Sequence, residues 1–145
     1  MPHTILHDVH INADISSVFE AISEPKHLNN WWTNMCSGTA AKGSKYNLHF
    51  TEKFDWYGEV THCISDKAFA ITMTKSDADW DYTTFGFDIE SIDKEVTRLM
   101  FYHKDWQDTN HHYRRTCYCW ALLLYNLKEY LEDGSIVPFE ARSGY

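Results

Sequence analysis

The chain has 145 residues, a formal net charge of −8 and an aromatic content of 16%, with six Trp, nine Tyr and eight Phe. That length fits one domain, residues 1–145, and the acidic balance excludes a nucleic-acid binder, which needs basic patches, and argues equally against anionic membrane surfaces. So many rings admit two readings, a lined cavity or interface and a solid Trp-rich core.

Apolar residues alternate from residue 4 to residue 11, with Ile5, Val9 and Ile11 on one face, which predicts a first strand. Asp14 is an N-cap for a helix with Val18, Phe19 and Ile22 on its apolar side. Pro25 stops that helix and opens a second short turn through Leu28, and Trp31-Trp32 closes the region. Residues 37–44 are small, polar and punctuated by glycine, and read as a loop. Alternating sets then follow at short intervals: Tyr46, Leu48 and Phe50; the run 57–64; Phe69, Ile71 and Met73; Phe85, Phe87 and Ile89; Leu99, Phe101 and His103. Polar turns at 65–67, 76–79 and 93–94 separate the later ones, and connections this short fit antiparallel hairpins, because parallel crossovers take a dozen or more residues. Residues 104–110 read as a polar loop carrying Trp106.

The last element is the most periodic. From His111 to Asp133, the residues Tyr113, Cys117, Trp120, Leu124, Leu127 and Leu131 form one row of a 3.6-residue helix, and Thr116 and Leu123 widen it. Gly134 stands where a helix ends in a left-handed turn. On the far side lie Tyr118, Leu122 and Tyr125, either a homodimer contact or a surface covered by the tail through Val137 and Phe139. The order strand, two short helices, about five strands, long helix gives an α+β fold. A curved antiparallel sheet wraps the C-terminal helix, and any gap left between them is the default site.

None of Cys36, Cys63, Cys117 and Cys119 forms a CxxC pair, and the last two diverge by ~200° on a helix, so a reduced, cytoplasmic setting is expected. The N-terminal segment lacks the basic and apolar regions of a signal peptide, and the longest apolar run, residues 120–125, is too short to span a bilayer.

Candidate chemistry starts with His103, which shares the inward face of Leu99 and Phe101. It is the one candidate catalytic residue, an acid, base or ligand-orienting group at a cavity mouth beside Trp106. The alternative is a buried histidine hydrogen-bonded to a neighbour. Trp32, Trp56, Trp80, Trp106 and Trp120 offer broad apolar faces suited to aromatic ligands, with Trp120 as floor and Trp106 as lid. The expected cavity lining is Trp32, Trp56, Met73, Phe85, Phe87, Phe101, His103, Trp106, Tyr113, Cys117, Trp120 and Leu124. No metal or cofactor is expected: His111 and His112 diverge by ~100° on a helix, and no His, Cys or carboxylate set recurs at ligand spacing. Asp77, Asp79 and Asp81, alternating with Ala78 and Trp80, read as a solvated turn in preference to a cation site. Nucleophile elbows and Gly-rich phosphate loops are absent, so no catalytic constellation is fixed by spacing.

Three groups of residues carry a family resemblance: Ile11-Asn12-Ala13-Asp14 with Val18-Phe19-Glu20-Ala21-Ile22 and Trp31-Trp32; Thr97-Arg98-Leu99 leading to Phe101-Tyr102-His103 and Trp106; and Trp120 with Leu124, Leu127-Lys128, Tyr130-Leu131-Glu132 and Gly134. Together they resemble the START-like (SRPBCC) superfamily of polyketide cyclases and birch-pollen allergens, and within it the heat-shock protein 90 ATPase activator-like group. The resemblance implies a helix-grip fold, which hosts lipid binders, cyclases and co-chaperones. Eukaryotic activators carry a further domain before the one this chain resembles, and no counterpart is expected here. The leading expectation is non-catalytic binding of a small apolar or aromatic, lipid-like molecule. A cyclase- or aromatase-like enzyme using His103 stands second, and a co-chaperone-like interaction domain third.

Overall fold

The computed structural model describes residues 2–142. The alternating segments become β1 (His3–Ile11), β3 (Lys45–His49), β4 (Asp55–Ile64), β5 (Ala68–Lys75), β6 (Thr84–Asp93) and β7 (Val96–Trp106), with a short β2 (Met35–Ser37) before β3. All pair antiparallel in one sheet of order β1-β7-β6-β5-β4-β3-β2. The helices α1 (Ile15–Ser23) and α2 (Pro25–Trp31) connect β1 to β2, and α3 (His111–Asp133) follows β7. The inward sets Phe69, Ile71 and Met73, Phe85, Phe87 and Ile89, and Leu99, Phe101 and His103 are all buried, because side chains two apart on a strand share a face and the helices cover that face. This is the helix-grip α+β architecture. Among the described residues no helix is long and apolar enough to cross a membrane.

Local chemistry sets the helix ends. Asp14 accepts from the Ser17 amide at 3.1 Å at the start of α1. Glu24 ends α1 and precedes Pro25, whose fixed φ suits the first turn of α2. The α1–α2 pair is tied down by two buried donors: the Trp31 indole N–H donates to the Ala21 carbonyl at 2.9 Å, and the Tyr46 hydroxyl on β3 to the Ser23 carbonyl at 2.6 Å. Asn110 caps α3 by accepting from the Tyr113 amide at 2.9 Å, and Gly134 ends it with φ +78°.

Four expectations are corrected. Residues 37–44 are not wholly loop, because Met35–Ser37 pairs with β3; three residues are too few to show a period. The segment after His103 is strand through Trp106, not a polar loop. A bulge causes this: Asp105 adopts φ +72°, and β7 has two residues between His103 and Trp106 where β1 has one between Ile5 and His3. The extra residue inverts the alternation, so Trp106 turns inward and is 1% exposed, which removes it as a lid. The buried arc of α3 is Thr116, Cys119, Trp120, Leu123, Leu124 and Leu127, rotated by roughly 50° from the expected row. Tyr113 and Cys117 instead lie over β1, where the Tyr113 hydroxyl donates to the Thr4 carbonyl and His7 reaches the Cys117 carbonyl. Lastly, the described part of the tail, residues 135–142, does not cover the outer stripe of α3. Tyr118 and Tyr125 are 52% and 58% exposed, while Phe139 stacks on Phe50 and Arg142 reaches α2.

Candidate functional site

A half-open groove of about 620 Å³ lies between α3 and the β3–β4 hairpin. Its wall is a circuit of aromatic rings that closes on itself. Ring centroids are separated by 5.6 Å for Trp32–Phe50, 5.5 Å for Phe50–Trp56, 4.8 Å for Trp56–Trp80, 6.1 Å for Trp80–Trp120 and 5.0 Å for Trp120–Trp32. Four different elements place them. Trp32 ends α2, Phe50 and Trp56 flank the β3–β4 turn, and Trp80 comes from the β5–β6 loop to meet Trp120 on α3. Thr116, Cys119 and Leu123 form the helix side, and Phe139, Glu140 and Arg142 close one end.

Of the residues expected to line a cavity, Trp32, Trp56 and Trp120 reach the groove. Met73, Phe85, Phe87, Phe101 and Leu124 are packed in the core, each no more than 1% exposed, with Phe101 against Trp120 at 4.4 Å and Phe85 against Trp32 at 5.1 Å. His103 and Trp106 sit together at 5.0 Å and are fully enclosed, and Tyr113 and Cys117 lie on the β1 side of the helix. The mouth position expected of His103 is therefore corrected: it lies behind Trp80 and Trp120, which form the groove wall on that side.

The hydrogen bonds of His103 fix its proton. An indole N–H only donates, so Nδ1 of His103 must accept from Trp120 Nε1 at 3.1 Å and carries no hydrogen. The remaining proton sits on Nε2, which donates to Thr83 Oγ1 at 2.8 Å. That hydroxyl in turn donates to the Trp80 carbonyl at 2.6 Å. Protonating Nδ1 would set two N–H groups against each other. Burial, followed by the charge of nearby His112, pushes the His103 pKa down to about 3. A neutral ring with both nitrogens engaged is a core histidine, not an acid–base group.

A second imidazole does reach the groove. His112, in the first turn of α3, sets Nδ1 3.0 Å from Asp79 Oδ2 and Nε2 3.7 Å from Asp77 Oδ2. Asp77 also accepts from the Asp79 and Trp80 amides, and Asp81 accepts from the Ser76 amide and hydroxyl. The acidic triplet thus builds the loop that presents Trp80 and pins it to α3, a role beyond that of a solvated turn. Trp80 is 6% exposed and its Nε1 is buried with no hydrogen-bond partner. Sequence reading missed Phe50, Phe54, Asp77, His112, Phe139 and Arg142 as groove residues. Only the spacing of Phe50, Phe54 and Trp56 around a polar turn offered a signal.

A family model described as "Activator of Hsp90 ATPase homolog 1-like protein" matches residues 12–132. The chain belongs to this family. Solved structures with the fold of this Aha1-like chain include the Aha1 dimer from Colwellia psychrerythraea, 27% identical, with TM-score 0.83 over 92% of this chain and 98% of that one. A protein from Staphylococcus saprophyticus is 19% identical with TM-score 0.78, covering 93% and 96% of the two chains. One from Bacillus halodurans is 20% identical with TM-score 0.75, covering 90% and 97%. No curated protein matches the chain.

Proposed function

We propose that this Aha1-like protein binds a small apolar, aromatic molecule in the groove without transforming it. The observation that carries the reading is the closed aromatic circuit bordering about 620 Å³ of space. Small-molecule sites run from about 300 to 1,000 Å³ and are mostly apolar with a few placed polar groups. The half-buried rings of Phe50 and Trp56 face this space in front of the buried Trp32, Trp80 and Trp120 and forgo dispersion contacts that a filled core would make, which a flat ligand supplies. The Trp80 N–H, unpartnered among the described residues, is available to such a ligand, since buried donors generally take a partner, although the Trp106 N–H away from the groove is unpartnered too. Binding is favoured over turnover because His103, the expected acid–base residue, is neutral and enclosed.

Naphthalene-2-carboxamide, a flat neutral probe, is expected to quench the intrinsic tryptophan fluorescence saturably at one molecule per chain. A Thr116→Trp variant, which fills the groove from α3, is expected to abolish that quenching while retaining the wild-type circular dichroism spectrum. Unsaturable quenching, or equal quenching in the filled variant, would refute groove binding.

A second reading concerns self-association. Tyr118, Leu122 and Tyr125 lie on one side of α3, and the two tyrosines are more than half exposed. A relative of 27% identity was solved as a dimer. We propose that this stripe joins two copies of the chain. Sedimentation equilibrium at micromolar concentration is expected to give a dimer, and the Tyr118→Glu/Tyr125→Glu protein a monomer; a wild-type monomer removes the reading.

A further inference from the structure

The tail brings a buried cation to the groove. Arg142 is 6% exposed and lines the end of the cavity beside Phe139, over whose ring its guanidinium lies at 5.8 Å. Its Nε donates to the Val137 carbonyl at 2.8 Å, and Nη1 to the carbonyls of Asn29 at 2.8 Å and Thr33 at 3.0 Å. Among the described residues, Nη2 makes no hydrogen bond and no carboxylate comes within ion-pairing distance of the side chain. Backbone carbonyls satisfy donors but bring only dipoles, so among the described residues the charge has no ion-pair partner, in a place where water is largely excluded. Burial accordingly lowers the Arg142 pKa, an effect that Glu140 only partly opposes.

The other charged groups of the groove do not fill this gap. Glu140 is exposed and solvated. Asp77 is already engaged by two backbone amides and faces His112. The Arg142 guanidinium therefore sets a buried positive charge at one end of an apolar, ring-lined space.

We propose that the groove takes an aromatic carboxylate, its rings against the Trp56–Trp80–Trp120 wall and its carboxylate on Arg142. This rests on the groove being a ligand site, as argued above, and adds the charge and orientation of the ligand. A planar guanidinium with a free N–H edge suits a carboxylate, and the pair gains from the low local dielectric. The three carbonyl bonds hold the guanidinium in place beforehand, so little side-chain freedom is lost on binding.

The test uses three probes of one shape and different charge on the full chain: 2-naphthoate, naphthalene-2-carboxamide and 2-naphthylmethylammonium, titrated by calorimetry at neutral pH. Wild-type protein is expected to bind the carboxylate at least about tenfold more tightly than the amide, the scale of one hydrogen bond to a charged group. Arg142→Gln is expected to lose that preference, the ratio of carboxylate to amide affinity falling to about one, and Arg142→Lys to keep part of it. Because Arg142 also anchors the tail, the wild-type comparison stands without any variant, and amide binding reports whether each variant keeps its groove. Equal binding of carboxylate and amide by wild type overturns the inference and leaves the groove reading intact. Preference for the ammonium probe overturns it in favour of Asp77 and Glu140. Failure of all three probes to bind overturns both.

Discussion

Replacing Trp120 with alanine is expected to cost ~3–5 kcal/mol of stability, the range for removing a buried Trp or Phe side chain. Urea unfolding would show it as a lower midpoint with an unchanged slope. Trp120 is 1% exposed and has three ring centroids within 5.6 Å, Phe101 at 4.4 Å, Trp32 at 5.0 Å and Phe85 at 5.6 Å, with Trp80 next at 6.1 Å. It also supplies the N–H that His103 Nδ1 accepts. Truncation removes the packing and strands the acceptor together. A Trp120→Phe variant keeps a phenyl ring in the site and loses the donor with the rest of the five-membered ring; its expected cost is ~1–3 kcal/mol. A loss below about 1 kcal/mol in the alanine variant would mean that the ring is marginal to the core, contrary to its burial.

The second large effect is a dependence on acid. In the unfolded chain His103 titrates near 6.5, whereas in the fold its pKa is pushed down to about 3. Between those values the unfolded chain binds a proton that the folded chain does not. The stabilisation is complete above pH 6.5 and is lost as pH falls toward 3. Each pH unit inside that window removes up to about 1.4 kcal/mol, so acidification from pH 6.5 to pH 4 is expected to cost wild type about 3 kcal/mol more than a His103→Gln variant. Carboxylates held low by hydrogen bonds, such as Asp14 and Glu132, also lose stabilising interactions in acid. They are common to both proteins and cancel in the difference. Parallel stability–pH curves would show that His103 is protonated in the fold, and with it that the Trp120–His103–Thr83 chain runs differently.

Much of the fold is legible in the sequence because period and capping are local properties. The bounds of α3, the Asp14 cap, the Pro25 start and the inward sets of β5, β6 and β7 follow from residues within one turn or one strand of each other. The phase of α3 is less legible, because Thr116 and Cys119 carry little apolar weight, while Tyr113, Cys117 and Leu131 complete a more regular row. Trp106 is misread because strand alternation assumes no bulge, and Asp105 is a non-glycine residue at positive φ that composition does not flag. The groove is the least legible part. Phe50, Asp77, His112 and Arg142 come from a hairpin turn, a loop, a helix start and an aperiodic tail, and only long-range packing brings them together. His103 was placed on the right face, but its role depends on Trp120 and Thr83, whose partnership no spacing announces.

The aromatic circuit has an optical consequence. Four of its five members are indoles, and successive indoles around Trp32, Trp120, Trp80 and Trp56 are 4.8–6.1 Å apart. At such separations excitation passes between neighbours faster than it is emitted. The four absorb individually but emit collectively, and the remaining two, Trp31 and Trp106, sit one ring away at 6.1 Å from Trp32 and 6.4 Å from Trp80. A molecule that quenches any one of these rings drains the others with it, so the protein's own light reports whether the groove is occupied.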